Sequence, residues 1–247
     1  KPHITFSDTE HVITNDWLTY PFTNVVCTPS TFKKTINVKK HIKFDGFFEL
    51  AYLHPKHFIP DALILKNLPL NETERFIIIR FVDWNASHDV GQTGISNALK
   101  KEYISVLSEY GQVFLSSESE LPSEYEKYKL DVPPEEFHSV LAYAQLYIGE
   151  GGSTATEAAL LGTPSIHVST SAKLCGVFDD LLEHKLVYAY DDDRKALEKA
   201  VAILIDLQSK EKWINKRDAM LKEKTDVAKF IINLIDEYPE SLQRIRE

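Results

Sequence analysis

Short apolar runs alternate with stretches of helical spacing through the middle of this chain. Residues 76–82, 112–116, 146–148, 164–168 and 186–190 are predicted as strands, each short and apolar. Between them, residues 97–107 set Leu99, Tyr103, Val106 and Leu107 on one helical face, and residues 134–144 open with Pro and acids as helices prefer. Such alternation predicts a parallel sheet covered on both faces. Beyond Asp193, residues 194–207 and 212–238 are predicted as two amphipathic helices, the second carrying a stripe of Phe230, Ile231, Leu234 and Ile235. Residues 1 to about 60 show no long period. Pro21, Pro29, Pro55 and Pro60, with the surface cluster Lys33, Lys34, Lys39, Lys40 and Lys43, interrupt it, and the stretch reads as a domain edge and a linker. No repeat of 20–50 residues is evident.

Composition narrows the class. Of 247 residues, 43% are apolar and 26% charged, with only 9 Gly and 11 Pro, which excludes a disordered or low-complexity chain. The length allows one large domain or two of moderate size. Lys and Arg total 28 against 37 Asp and Glu, a net charge of −9, and a field of that sign repels phosphate backbones, arguing against nucleic acid as a partner. Cys27 and Cys175 stand far apart with no Cys/His cluster, so no disulfide framework and no metal site is expected, and a reducing cytoplasm fits. The apolar runs are too short for a membrane span. The chain begins Lys1-Pro2-His3-Ile4-Thr5 with no initiator Met and no signal region, which reads as the start of a fragment.

The most specific stretch is a strand running into glycines and then a helix: Leu146-Tyr147-Ile148-Gly149-Glu150-Gly151-Gly152-Ser153-Thr154, followed by Glu157 and ending at Gly162-Thr163-Pro164. Glycines there allow a sharp turn and close approach of a ligand, and the helix amides beyond them favour an anion. A phosphate is expected near Gly152, Ser153 and Thr154. Glu157 would repel it at close range and is better suited to accepting hydrogen bonds from ribose hydroxyls. A competing structural reading makes Thr154-x-x-Glu157 a capping box. The stretch is neither a Gly-x-Gly-x-x-Gly fingerprint nor a Walker loop.

This stretch, with Pro134-Glu135-Glu136-Phe137-His138 before it, resembles the nucleotide-sugar-binding half of GT-B glycosyltransferases and of non-hydrolysing UDP-N-acetylglucosamine 2-epimerases, over about half the chain. Through Gly46-Phe47-Phe48-Glu49-Leu50-Ala51-Tyr52-Leu53, Arg80-Phe81-Val82-Asp83-Trp84-Asn85-Ala86-Ser87-His88-Asp89 and Leu160-Leu161-Gly162-Thr163-Pro164, the chain is more closely similar to a mainly archaeal, uncharacterised GT-B-like family, over nearly everything after residue 3. The resemblance implies an α/β, GT-B-like (Rossmann-like) doubly wound parallel sheet with an incomplete N-terminal domain. It implies that Gly151, Gly152, Ser153 and Thr154 hold a diphosphate, that Glu157 holds the ribose, and that the segment up to His138 forms part of a base pocket. The expected organisation is a remnant of the N-terminal domain over 1–45, a linker over 46–60, a nucleotide-sugar-binding domain over 61–207, and a C-terminal helical segment over 208–247 packing back toward the N-terminal part.

Residues 80–94 form a polar loop after the first predicted strand, where open parallel sheets bind ligands. The epimerases carry a His-Arg-Arg-Glu-Asn motif there, whereas this chain has Asn85-Ala86-Ser87-His88-Asp89, so their chemistry does not transfer. Arg80 can neutralise a diphosphate, Asn85 is a polar binding candidate, and His88 beside Asp89 is a candidate acid or base. Each also has a structural reading: Arg80 pairing with a carboxylate, and His88 ordering its loop. A GT-B site lies between two domains, which makes Asp8 and Glu10, in a stretch that resembles the end of the family's N-terminal domain, candidate catalytic acids by position. Asp191-Asp192-Asp193 directly precedes a predicted helix and reads as capping rather than metal binding, and His54-x-x-His57 lacks a third ligand. Taken with these residues, the resemblance implies a UDP-sugar-dependent glycosyltransferase acting on a sugar or lipid acceptor without a separate cofactor. A 2-epimerase-like enzyme and an inactive nucleotide-binding module are the competing readings.

Overall fold

The computed structural model describes residues 1–71, 74–82 and 92–246; Asn85 and His88 lie outside them. The chain builds two parallel sheets. The first holds β1 (Ile4–Phe6), β2 (Val25–Pro29) and β3 (His41–Phe44) in that order, with helix α1 (Ile13–Thr19) between β1 and β2. This corrects the irregular reading of residues 1–60. The strands are too short to show a period, yet β3 alternates as a strand should, burying Ile42 and Phe44 and exposing Lys43. The stretch after β3 is no free linker: α2 (Leu50–Leu53) buries Leu50 and Leu53, and Phe47 before it is buried too.

The second sheet holds β4 (Phe76–Phe81), β5 (Gln112–Ser117), β6 (Leu146–Gly149), β7 (Ser165–Val168) and β8 (Val187–Tyr190), in the order β5-β4-β6-β7-β8. These are the five strands that the apolar runs predict, and β4 and β6 are apolar almost without break because both their faces are covered. The covering helices are α3 (Asn97–Leu107), α4 (Phe137–Tyr143), α5 (Gly152–Leu160), α6 (Gly176–Glu183) and α7 (Asp193–Ile205). The chain lays β5 on one side of β4 and then returns to lay β6 on the other. Strand order therefore reverses between β4 and β6, and a crevice opens beyond the carboxyl ends of those two strands.

The predicted helix over 212–238 is two helices, α8 (Ser209–Leu221) and α9 (Val227–Asp236), followed by α10 (Glu240–Arg246). The break has a local cause. Lys224 bridges Asp45 at 2.7 Å and Asp180 at 2.8 Å, Thr225 N–H bonds Asp45 O, and Asp226 caps the new helix by accepting from Lys229 N. The chain thereby crosses from the second sheet to the first. Trp213 of α8 is buried and donates to Leu186 O, whereas Phe230 and Leu234 of α9 pack with Val25, Cys27 and Ile42 of the first sheet.

Candidate functional site

The rear wall of the crevice is mostly backbone. Arg80 of β4 stands opposite Gly149 of β6, and a Cβ on Gly149 would lie 2.6 Å from Arg80 O, so only glycine lets the strand ends approach. Glu150 is buried and accepts from Val82 N at 2.8 Å and Ile95 N at 2.7 Å, tying down the residues that flank 83–91. Gly151 then precedes α5. No side chain caps this helix; the first ladder bond runs from Ala155 N to Gly151 O. The capping-box reading of Thr154 and Glu157 is thereby corrected: the helix starts at Gly152, so Thr154 lies inside the first turn instead of in front of it.

The amides of this first turn open onto a cleft of about 390 Å³ lined by Gly151, Gly152, Ser153 and Thr154, by Arg80 of β4, and by Asp8 and Glu49 from across the crevice. Arg80 donates Nη1–H to Ser116 Oγ at 2.6 Å and Nη2–H to Glu118 Oε1 at 2.9 Å, while its Nε is buried without a partner. The front wall is acidic. Glu49 is only 9% exposed, and burial, with Asp8 and Glu157 nearby, pushes its carboxyl up to about 8. Burial also raises Asp8, which accepts from Thr9 Oγ1 at 3.0 Å. Cys175 and His11 meet at the same cleft, Sγ to Nδ1 3.5 Å, but burial pushes the thiol up to about 12, which keeps it protonated and unreactive.

A second cavity of about 460 Å³ adjoins the first through Arg80 and Thr154. Leu130, Val132, Pro134 and Phe137 give it an apolar side, and Ser116, His138 and Glu157 a polar one. Glu157 accepts from Tyr52 Oη at 2.9 Å and lies 3.0 Å from His138 Nε2.

The structure thus brings Arg80, Gly151, Gly152, Ser153, Thr154 and Asp8 to one cleft, and His138 and Glu157 to the next. Glu10 is placed elsewhere. Its Oε1 accepts from Lys33 N at 3.0 Å and Gly176 N at 2.9 Å, fastening the front of the molecule to the start of α6. Sequence reasoning missed Glu49, Tyr52 and His167 as site residues. Glu49 and Tyr52 belong to the segment 46–53 that carries part of the family resemblance, but nothing local marks them as facing the crevice. Asp192 caps α7 by accepting from Lys195 N. Among the described residues no cluster could hold a metal ion, and no helix is long and apolar enough to cross a membrane.

The family described as "Protein of unknown function (DUF354)" matches residues 1–239, and the chain belongs to it. No curated protein matches the chain. Among solved structures, a "putative UDP-N-acetylglucosamine 2-epimerase" from Listeria monocytogenes aligns with a TM-score of 0.56 at 14% identity, over 94% of this chain and 67% of that one. A variant of the wall teichoic acid polymerase TagF soaked with CDPG gives 0.50 at 10% identity, over 95% and 60%. The glycotransferase of kitacinnamycin gives 0.47 at 11%, over 89% and 56%. The chain therefore spans 56–67% of the length of these three proteins. The fold is α/β and GT-B-like, with two parallel sheets.

Proposed function

We propose that this member of the DUF354 family binds a nucleoside diphosphate sugar, UDP-linked, and transfers the sugar to an acceptor hydroxyl. The observation that carries this reading is the meeting of two unlike cavities at Arg80 and Thr154. One has an apolar side and a carboxylate held by His138 and Tyr52, which suits a base and its ribose. The other presents uncapped helix amides, which suit a diphosphate. Their junction falls at the strand-order reversal, where open parallel sheets take nucleotides.

In this reading the acceptor oxygen attacks the anomeric carbon, the bond from that carbon to the diphosphate oxygen breaks, and the diphosphate leaves with the electron pair. The α5 amides and Arg80 stabilise the charge that develops on it. Asp8, or His88 from the sequence that follows β4, takes the acceptor proton. Epimerisation is the second reading, favoured by two carboxyls, the buried Glu49 and the half-buried Asp8, that line the same cleft and could remove and return a proton on a bound sugar.

Calorimetric titration with UDP, UDP-sugars, CDP and GDP tests binding. Glu157→Ala should weaken the preferred nucleotide by about 1–3 kcal/mol, the scale of hydrogen bonds to a charged group, and should lower the melting temperature only as far as the loss of its bonds to Tyr52 and His138 requires, because Glu157 caps nothing. Failure of every diphosphate to bind, or equal affinity in the variant, rejects the reading. Release of free UDP only with an acceptor supports transfer; interconversion of two UDP-sugars without one supports epimerisation.

A further inference from the structure

One buried side chain beside the cleft has no structural employment. His167, on β7 next to Gly149 of β6, is 1% exposed, and neither ring nitrogen has a hydrogen-bond partner in the protein. Its ring stacks on Phe178, with centroids 4.6 Å apart and planes 6° from parallel. Packing alone does not call for an imidazole in that place: an apolar ring would stack on Phe178 without burying two unsatisfied polar atoms, each of which opposes folding. Orphaned polar groups of this kind are rare in folded proteins and call for a specific explanation.

The ring borders the space a ligand would occupy. It lines the cleft, and its Cε1 lies 3.9 Å from where a Cβ of Gly152 would be, so the ring packs directly behind the first turn of α5. Burial holds the imidazole down at about 4, the Gly149 backbone opposing this only partly and lying outside hydrogen-bonding geometry. At neutral pH the ring therefore carries one N–H donor and one acceptor nitrogen. Arg80 Nε, also buried and unpartnered, lines the same cleft. Two orphan donors and a turn of uncapped amides facing one space match a ligand with several acceptor oxygens.

We propose that His167 is a phosphate-binding residue, its neutral N–H bonding an oxygen of the diphosphate held over the α5 turn, with Phe178 fixing the plane of the ring. The proposal rests on the nucleotide-sugar reading and adds to it a contact from β7.

The test compares wild type with His167→Phe and His167→Gln, titrated with UDP and with inorganic pyrophosphate. The Phe variant should lose affinity for both ligands by about tenfold or more, the scale of a hydrogen bond to a charged acceptor, and its melting temperature should stay level or rise, since an apolar ring relieves the orphaned nitrogens. The Gln variant should recover part of the loss. Equal affinity in wild type and Phe variant overturns the proposal while leaving the nucleotide reading intact, and identifies the ring as packing that bonds water only. No binding by wild type to either ligand overturns both. Should the variants fail to fold, the ring nitrogen resonances of His167 in wild type decide: a shift on adding pyrophosphate supports the contact, and unchanged resonances refute it.

Discussion

The two walls of the crevice are made of different material. The rear wall presents backbone: the first-turn amides of α5 and, beside them, the part-free guanidinium of Arg80. The front wall presents side chains, Asp8 and Glu49, whose carboxyls are both raised by burial. Backbone amides are neutral, fixed by the fold and indifferent to pH, which suits holding an anion; carboxyls whose titration burial moves upward can take and return a proton more readily, which suits chemistry. In the proposed reading binding and reaction are divided between these two walls, and each can be disturbed separately.

The largest disturbance is at Gly176, where the walls are joined. A Cβ there would lie 1.9 Å from Thr31 O and 3.0 Å from Glu10 Oε1, so the backbone of one side has to move. Gly176→Ala should cost more than about 3 kcal/mol in urea denaturation, at or beyond the upper end of overpacking. If the division of labour is right, the folded fraction keeps its UDP affinity within about tenfold, because the clash falls on Thr31 and Glu10 and not on the α5 amides or Arg80. Complete loss of binding would show that the front wall also grips the nucleotide.

Glu10→Ala attacks the same joint from the other partner. It leaves Lys33 N and Gly176 N without their acceptor in a buried place, for an expected loss of about 2–3 kcal/mol. Glu10→Gln, which keeps an acceptor oxygen, should recover most of it. Turnover that vanishes in Glu10→Gln with stability intact would instead restore Glu10 as the acid that its position in the sequence suggests.

The rear wall was far more legible in the sequence than the front. The β4 run Phe76-Ile77-Ile78-Ile79 and the passage from Ile148 through Gly149 to Thr154 carry their structure in local order: a strand, a tight approach, a helix start. The front sheet hides because β1 is three residues long, β2 ends on Pro29, and the alternation of β3 sits inside a run of lysines. Its contribution to the site is not local at all. Glu49 reads as one acid beside an apolar run, and only its burial in the folded protein, with Asp8 brought close from beyond the end of β1, makes it a proton-holding group. His167 was illegible for a different reason: both its neighbours, Ile166 and Val168, are buried as well, so alternation cannot say which position faces the cleft. Glu157 was found by type and spacing, yet the same spacing produced the capping-box reading, because Thr154 looked like a helix start when the glycines before it had already begun the helix.

The smallest expected effect is the one that depends most on this front-wall chemistry. With burial pushing the Glu49 carboxyl up to about 8 from its ordinary 4.5, the folded protein holds a proton between those values that the unfolded chain has released. Stability must therefore fall as pH rises through that window and level off above about 8. Glu49→Gln, an uncharged mimic of the protonated acid, removes this slope. The variant should match wild type near pH 4 and exceed it at pH 8, by about 1–2 kcal/mol once relaxation of the site and water penetration around the ionised carboxylate have absorbed most of the full linkage value, read from urea midpoints at each pH. Lys210, which burial brings down to about 7, titrates in the same range but is shared by both proteins and largely cancels in the difference. Binding should follow the same proton. Above about pH 8 the ionised Glu49 faces the anion held by the rear wall, so wild-type affinity for UDP declines there while that of Glu49→Gln does not. Parallel affinity profiles for the two proteins would place the nucleotide out of reach of the front wall and would separate the acids from the site altogether.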